Sequence, residues 1–155
     1  MSLKTPDFVV KNQPYYFLEN GTWSAISNNI AVRYSPKGFV ISNAGMAIYD
    51  EKNLFYIIAY MNSKCVSDCF IRVINQTINF NAGDIARVPI IFENKSIIIE
   101  FVKENISISL IDWNSFETSW DFENHPLLKS TSAQSAFDNW QNDCENRFNQ
   151  LKANE

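Results

Sequence analysis

The sequence predicts a mixed α+β fold, with a strand-rich N-terminal half and a helical C-terminal half. Short apolar stretches alternate with turn-forming Asn, Gly, Pro and Ser residues over the first fifty positions, which is typical of strands. Toward the C-terminus, apolar residues recur at three- and four-residue steps, which is typical of helices. Of the 155 residues, 46% are hydrophobic and 14% aromatic, enough for a sizeable core and too many for a disordered chain.

Short strands are expected in the first fifty residues, at Pro14–Leu18, Ile30–Val32, Phe39–Ile41 and Ala47–Tyr49. The intervening stretches "ENGT", "SNN", "SPKG" and "SNAG" have the composition of turns. Their glycines are expected where φ is positive or where backbones approach closely, at Gly21, Gly38 and Gly45.

Asp50 has the character of a helix N-cap, because an apolar stripe follows it at helical spacing. The stripe consists of Leu54, Ile58, Met61, Cys65, Cys69 and Val73. The stretch "MNSK" offers a break between two helices. Beyond it, "TINF" and "VPII" are expected to be strands, joined through "NAGDIA" by a tight connection with one helical turn.

The C-terminal third begins with "IIIEFVKENISISLI", which fits a buried helix in its first half and a strand in its second. Ser109 with Asp112 predicts a capping box that starts a short helix, and Thr131 with Gln134 predicts another. The last helix carries the stripe Ala133, Phe137, Trp140, Cys144, Phe148 and Leu151. No stop signal precedes Glu155, so the chain is expected to be a single domain, 1–155, that ends inside this helix as a fragment of a larger protein.

The charge is unevenly distributed along the chain. The net charge is −4, but residues 1–99 carry nine Lys/Arg against seven Asp/Glu, whereas residues 100–155 carry four against ten. Any contact with nucleic acid is therefore expected on the first two-thirds. Three cysteines, an odd number, favour a reducing cytoplasm, and no apolar run or signal peptide indicates a membrane.

Residues able to read DNA are concentrated in the first third of the chain, and a second group lies at 75–81. Asn and Gln amides match adenine edges, while Arg and Lys bind guanine or phosphate. The first group is Trp23, Ser24, Ser27, Asn28, Asn29, Arg33, Tyr34 and Lys37, and the second is Asn75, Gln76, Asn79 and Asn81. Loops favour Asn and Ser in any case, so composition alone also fits ordinary turns.

Several motifs resemble catalytic or metal-binding sets without their usual context. "NQPY", at residues 12–15, resembles the N-P-P-Y tetrapeptide of amino methyltransferases, but no glycine-rich cofactor loop precedes it. Asp84 with Glu93 and Lys95 has nuclease-like spacing. The cysteines with His125 could complete a zinc site, although buried apolar cysteines are the better account. We therefore predict no catalytic, cofactor-binding or metal site in this chain.

Three stretches, taken in order, resemble one family. They are "GTWSAISNNIAVRYSPKGFVISNAG" (21–45), "YIIAYMNSKCVSDCFIRVINQTINFNAGDIARVPI" (56–90) and "IDWNSFETSWDFENHPLL" (111–128). They resemble the C-terminal part of the PglX-type adenine-specific DNA methyltransferases of type 1 BREX phage-defence systems. The tail "RFNQLKANE" is similar to that family as well.

The resemblance implies a target-recognition-domain-like segment, with the recognition part at about 14–92 and a helical part at about 93–155. In this family, catalysis with S-adenosylmethionine belongs to an upstream domain. The implied partners are double-stranded DNA and the catalytic domain of the same parent chain. Other defence-system proteins are the alternative partner, for a docking module, and a metal-dependent nuclease is a second alternative function.

If the resemblance holds, the candidate DNA-binding residues have two expected roles. Arg33 and Lys37 are expected to anchor phosphate, and Asn28, Asn29, Asn75 and Gln76 to contact bases. Tyr34 and Asn79 match the family's motif positions and complete the set.

The segment "DWNSFETSWDFENHPLL" (112–128) combines four large aromatics, four acids and the only histidine of the chain. It lies on the acidic third, which is poorly suited to facing phosphates. We expect its aromatic side chains to pack between helices, as aromatic stripes usually do, rather than to form an active site.

Overall fold

A computed structural model describes residues 12–42, 45–130 and 132–154. The chain divides into two compact units, Met1–Glu93 and Asn94–Glu155, and each is described by itself. The N-terminal unit contains a three-stranded sheet and short helices, and the C-terminal unit is helical. The mixed fold predicted from the sequence is confirmed.

The sheet of the N-terminal unit is antiparallel with the order β2-β1-β3. Its strands are β1 (Asn20–Ser24), β2 (Arg33–Ser35) and β3 (Gly45–Ile48). In the register, Thr22 on β1 faces Arg33 on one side and Ala47 on the other. The stretch "ENGT" therefore enters the central strand and is not a turn. A larger residue than Gly21 would crowd its neighbours there, because a Cβ atom would lie 3.0 Å from Val32 Cγ1 and 3.2 Å from Ile58 Cγ1.

Other N-terminal predictions are corrected in the same way. Pro14–Leu18 is not a strand, since Gln13–Tyr15 forms a 3-10 helix that the fixed φ of its proline suits. Ile30–Val32 is irregular although both of its ends are buried, and Phe39–Ile41 is also irregular. The turn at "SPKG" is confirmed, with Gly38 at φ 105°. Part of "SNAG" lies outside the described residues.

The helical part of the N-terminal unit begins with α1 (Leu54–Asn62), whose N-cap is Asn53. Asp50 does not cap the helix but orders the turn before it, where its Oδ1 accepts the N–H groups of Lys52 and Asn53 at 2.9 and 2.8 Å. The break at "MNSK" is confirmed, because Ser63 is extended after α1. The remaining short helices are a π-helix (Cys65–Phe70), α2 (Ile71–Ile74) and α3 (Ala82–Ile85).

The apolar stripe that the sequence predicts is interrupted after Met61. Its α-helical period ends there because Ser63 is extended after α1, and the π-helix that follows has a wider turn than an α-helix. Val66 is fully buried and Ile71 is 5% exposed, whereas Cys65 and Cys69 lie on the surface. Val73, the last member of the predicted stripe, is 82% exposed.

The core of this unit forms around Trp23, which is 2% exposed and whose Nε1–H donates to the Phe80 carbonyl at 3.0 Å. Its other buried apolar residues include Leu54, Tyr56, Ile57, Ile58, Met61, Val66, Ile71, Phe80 and Ile85. The predicted strand "TINF" reduces to one bridge, and "VPII" is irregular. The helical turn within "NAGDIA" is confirmed by α3.

The C-terminal unit consists of α4 (Lys95–Trp113), a 3-10 helix (Pro126–Lys129) and α5 (Ala133–Ala153). Ser109 begins no new helix, since it lies inside α4 and its Oγ donates to the Asn105 carbonyl at 2.8 Å. The N-cap of α5 is Ser132, whose Oγ accepts from the Ser135 N–H, while Thr131 lies outside the described residues. Asn154 joins the two long helices by donating to Glu104 Oε2 at 2.9 Å and Asn105 Oδ1 at 2.8 Å.

Burial in this unit is sparse, with Val102 and Ala136 as its buried apolar side chains among the described residues. The predicted α5 stripe is only half-buried, and Phe148 at its C-terminal end is 61% exposed. Over the parts of the chain that the structure covers, none of the helices combines the length and the hydrophobicity required to cross a bilayer.

One side chain replaces a missing strand partner, which generates a first prediction. The Asn62 amide binds both backbone polar groups of buried Val32, accepting from its N–H and donating to its carbonyl, each at 2.8 Å. Asn62→Ala leaves both groups unpaired, so we expect a loss of about 2 kcal/mol in the free energy of unfolding, measured by urea denaturation. Asn28→Ala, at an exposed position of the same unit, is the control. Equal midpoints for the two variants would contradict this role.

Candidate nucleic-acid interface

Four of the predicted base-contacting residues line a single cleft of the N-terminal unit. We call it the amide cleft, and its volume is about 380 Å³. Its floor is apolar, because Ile30, Ile71 and Phe80 are all buried, and its exposed rim is polar except for Ile78. The lining residues are Asn28, Asn29, Ile30, Ser67, Ile71, Arg72, Asn75, Gln76, Thr77, Ile78 and Phe80. An apolar floor with a few convergent polar groups is the usual form of a binding site.

The two loops of the amide cleft are held together by backbone hydrogen bonds. The Phe80 N–H donates to the Ala25 carbonyl at 2.7 Å, and the Ser27 N–H donates to the Ile78 carbonyl at 3.0 Å. An isolated antiparallel bridge joins Ile26 to Asn79 between them. The chain leaving β1 and the chain leaving α2 are thereby brought side by side, which places two distant sequence segments on one rim.

Asn75 shapes the second loop with all the hydrogen-bonding capacity of its amide. Its Oδ1 accepts from the Thr77 N–H and hydroxyl at 2.8 and 2.7 Å. Its Nδ2 donates to the Asn79 carbonyl at 2.6 Å and to Asp84 Oδ2 at 2.8 Å. An amide has two donors and one acceptor oxygen with two lone pairs, so none of this capacity remains for a base edge. The geometry favours a positioning role for Asn75.

The other amides of the rim are available for a ligand. Asn28, Asn29 and Gln76 are exposed, and none of their side-chain amides hydrogen-bonds to any part of the chain described by the structure. Each retains both the donor and the acceptor that bidentate recognition of adenine requires.

Sequence reasoning missed Arg72, the only basic residue among those that line the amide cleft. Its guanidinium lies 3.9 Å from Asp68, and both side chains are more than half exposed, so this ion pair is weak. Helical spacing could not have revealed it, because the helix ends at Ile74 and Asn75 is already extended. Arginine side chains commonly contact phosphate oxygens, and Asn or Gln amides can contact base edges.

The residues predicted on and after β2 do not line the amide cleft. Arg33 donates to Ser24 Oγ at 3.0 Å on the exposed side of the sheet. Lys37 lies exposed in the turn that ends at Gly38. These two cations remain proposed phosphate contacts on a separate surface.

Tyr34 has the contacts of a structural residue. Its ring stacks on Phe55, with centroids 5.5 Å apart, and its hydroxyl donates to Glu19 Oε2 at 2.9 Å. Burial raises the pKa of the Tyr34 phenol, and the hydrogen bond and charge of Glu19 raise it further. Asn79, the last predicted residue, is held by its backbone, which donates to Thr77 Oγ1 and accepts from Asn75.

Metal chemistry finds no support in the described residues. No three of their His, Cys, Asp and Glu side chains lie close enough together to hold a metal ion. Asp84 of the nuclease-like set accepts a hydrogen bond from Asn75. Cys65 and Cys69 are exposed thiols on the π-helix, so they are not the buried apolar residues expected from the sequence.

The aromatic segment 112–128 departs from its prediction. Trp113 and Phe116 are 56% and 45% exposed, and Trp120 is 101% exposed, so these rings do not pack between helices. A hollow of about 460 Å³ does lie in this unit, between the end of α4 and α5, and its walls include Trp140 and Arg147. Arg147 already forms an ion pair with Asp112 at 3.4 Å, and no DNA-binding candidate lines this hollow.

Comparison with known proteins shows that the chain is homologous to a segment of adenine-specific methyltransferases. It is 36% identical over 154 residues to the adenine-specific methyltransferase PglX of Lacticaseibacillus casei (strain Zhang), and 38% identical over 125 residues to BrxX of Escherichia coli O9:H4 (strain HS). These matches cover 93% and 77% of this chain. The resemblance inferred from the sequence is confirmed.

The chain spans only a small part of these relatives, 13% of the length of PglX and 10% of that of BrxX. No protein-family model matches the chain.

The difference in hydrogen bonding between Asn75 and Gln76 predicts different effects on stability when each is replaced by alanine. Asn75→Ala removes four hydrogen bonds that order the loop, so we expect a loss of about 2 kcal/mol in the free energy of unfolding. Gln76→Ala removes none of them and should change that free energy by less than about 0.5 kcal/mol. Urea denaturation followed by tryptophan fluorescence measures both. Similar losses for the two variants would refute the division of roles.

Proposed function

We propose that this chain is the DNA target-recognition segment of an S-adenosylmethionine-dependent, adenine-specific methyltransferase that acts in BREX phage defence. The observation that carries the proposal is the amide cleft, where free Asn and Gln side chains from two loops surround one arginine. Homology to PglX and BrxX supports the methyltransferase context. The segment itself is noncatalytic, and the methyl transfer belongs to another part of the polypeptide.

The proposed mechanism assigns different work to the two kinds of side chain. Arg72 binds a phosphate, with Arg33 and Lys37 as further anchors, and these contacts fix the register of the duplex. Asn28, Asn29 and Gln76 then reach base edges in the major groove, where amides recognise adenine through paired donor and acceptor bonds. The catalytic domain flips the target adenine out of the stack and methylates it.

Charge supports this orientation of the segment on DNA. The N-terminal unit, 1–93, carries eight Lys/Arg against seven Asp/Glu, a net +1, whereas the C-terminal unit, 94–155, carries five against ten, a net −5. Phosphates repel the acidic unit, so the N-terminal unit is the one suited to face the duplex. A cytoplasmic location follows from a DNA substrate inside the cell.

The proposal is tested by exchanging the recognition unit within the full-length methyltransferase. Residues 20–92 are replaced by the equivalent stretch of a relative that methylates a different site, and methylated adenines are mapped by sequencing. We expect the methylated motif to follow the exchanged stretch. Exchange of residues 94–155 is the matched control and should leave the motif unchanged. An active chimera that keeps its original motif after the first exchange would place recognition elsewhere.

The amide cleft makes a finer prediction about single residues. In the full-length enzyme, Arg72→Ala should weaken binding to all duplexes. It should also reduce the slope of the logarithm of the DNA-binding constant against the logarithm of salt concentration by about one, the value for one lost phosphate contact. Gln76→Ala should weaken binding to the cognate site by about tenfold and leave other duplexes unaffected. Fluorescence anisotropy across a salt series measures both effects.

Arg87→Ala provides a matched control for this series, since Arg87 is an exposed arginine of the same unit that does not line the amide cleft. If the two variants Arg72→Ala and Arg87→Ala bind DNA with equal salt dependence, Arg72 is not a specific phosphate contact of the amide cleft. Equal losses on cognate and unrelated duplexes would remove Gln76 from base recognition.

A further inference from the structure

The turn that follows α4 reverses the usual relation between residue type and burial. Ser119 is 9% exposed, whereas its neighbour Trp120 is 101% exposed, the highest value for any large apolar side chain in the described part of the chain. Trp113 and Leu128 add further apolar surface nearby in sequence, at 56% and 76% exposure. A fully exposed indole is unusual, because tryptophan is highly buried on average and is enriched at protein interfaces.

The turn is ordered without any help from Trp120. The Ser119 hydroxyl donates to Asn114 Oδ1 at 2.7 Å and accepts from the Asp121 N–H at 3.1 Å. Backbone bonds continue this bracing, with the Ser119 N–H on the Phe116 carbonyl at 3.0 Å. The indole therefore extends into solvent from a hydrogen-bonded turn, and its removal leaves these bonds in place.

Unpaired acids surround this tryptophan in the sequence. Glu117, Asp121 and Glu123 form no ion pair with any described residue. From 104 to 128 the chain contains five Asp/Glu and no Lys or Arg. This charge repels DNA, anionic membranes and a second copy of the same acidic unit. It complements a basic protein surface with an apolar pocket for an indole.

We propose that Trp120 docks into an apolar pocket bordered by Lys and Arg on the part of the methyltransferase polypeptide outside this segment. The proposal rests on the chain belonging to a longer methyltransferase, and it adds a docking surface to the recognition role. The matched segment is 13% of PglX, so most of such a protein lies outside it and can supply the pocket. Tryptophan anchors of this kind dominate protein interfaces, while the acidic rim selects and orients the partner.

Hydroxyl-radical footprinting of the full-length methyltransferase tests the proposal. The oxidation rate of Trp120 is compared in the native protein and in urea, with buried Trp23 as the internal reference for full protection. A bare Trp120 would react equally fast in both states. We expect several-fold slower oxidation in the native protein, because the pocket covers the indole.

The charge requirement is tested in the same experiment. Neutralising the rim with Glu117→Gln, Asp121→Asn and Glu123→Gln should expose Trp120 and return its oxidation toward the unfolded rate. The control neutralises three exposed acids of α5, with Asp138→Asn, Asp143→Asn and Glu145→Gln, and should leave the protection intact.

Each result decides a separate part of the proposal. Equal native and unfolded rates would overturn the docking of Trp120. Protection that persists after rim neutralisation would overturn the basic partner surface. If the methylated motif follows the exchange of residues 20–92 but Trp120 is unprotected, only the docking of Trp120 is contradicted. If Trp120 is protected but the methylated motif does not follow the exchange of residues 20–92, only the recognition role is contradicted.

Discussion

The hydrogen bond between the Trp23 indole and the Phe80 carbonyl is the contact on which the N-terminal unit depends. Trp23 lies on the central strand, and Phe80 closes the loop that follows α2, so one buried side chain joins elements 57 residues apart. The bond satisfies a polar group of a large aromatic ring that would otherwise be costly to bury. Because Phe80 is fixed, Ala25 and Ser27 pair with the same loop and bring both rims of the amide cleft together.

Local signals predicted some of this architecture and missed the rest for physical reasons. Gly38 and the break after Asn62 were readable because they depend on neighbouring residues alone. The central strand was misread as a turn at Gly21, since only the approach of Val32 and Ile58 explains a glycine there. The strand partner of Val32 was invisible as well, because a side chain, Asn62, takes that place.

The sequence predicted which residue types form the candidate site, but not the role of each residue. Amide-rich loops marked Asn28, Asn29 and Gln76, and the structure brings them to one cleft. Sequence could not distinguish Asn75 from Gln76, since only the three-dimensional contacts show that one amide is fully hydrogen-bonded. The exposure of Trp120 was equally hidden, because the small side chain beside it occupies the interior of the turn.

The π-helix at Cys65–Phe70 has a consequence for how the amide cleft can change. A π-helix contains one residue more than an α-helical turn, and each residue advances an α-helix by about 100°. A single deletion within 65–70 would therefore swing Arg72 around the axis together with buried Ile71, and would displace the loop that carries Phe80. Length variation at this one turn would therefore change a wall of the amide cleft and repack part of the core at the same time.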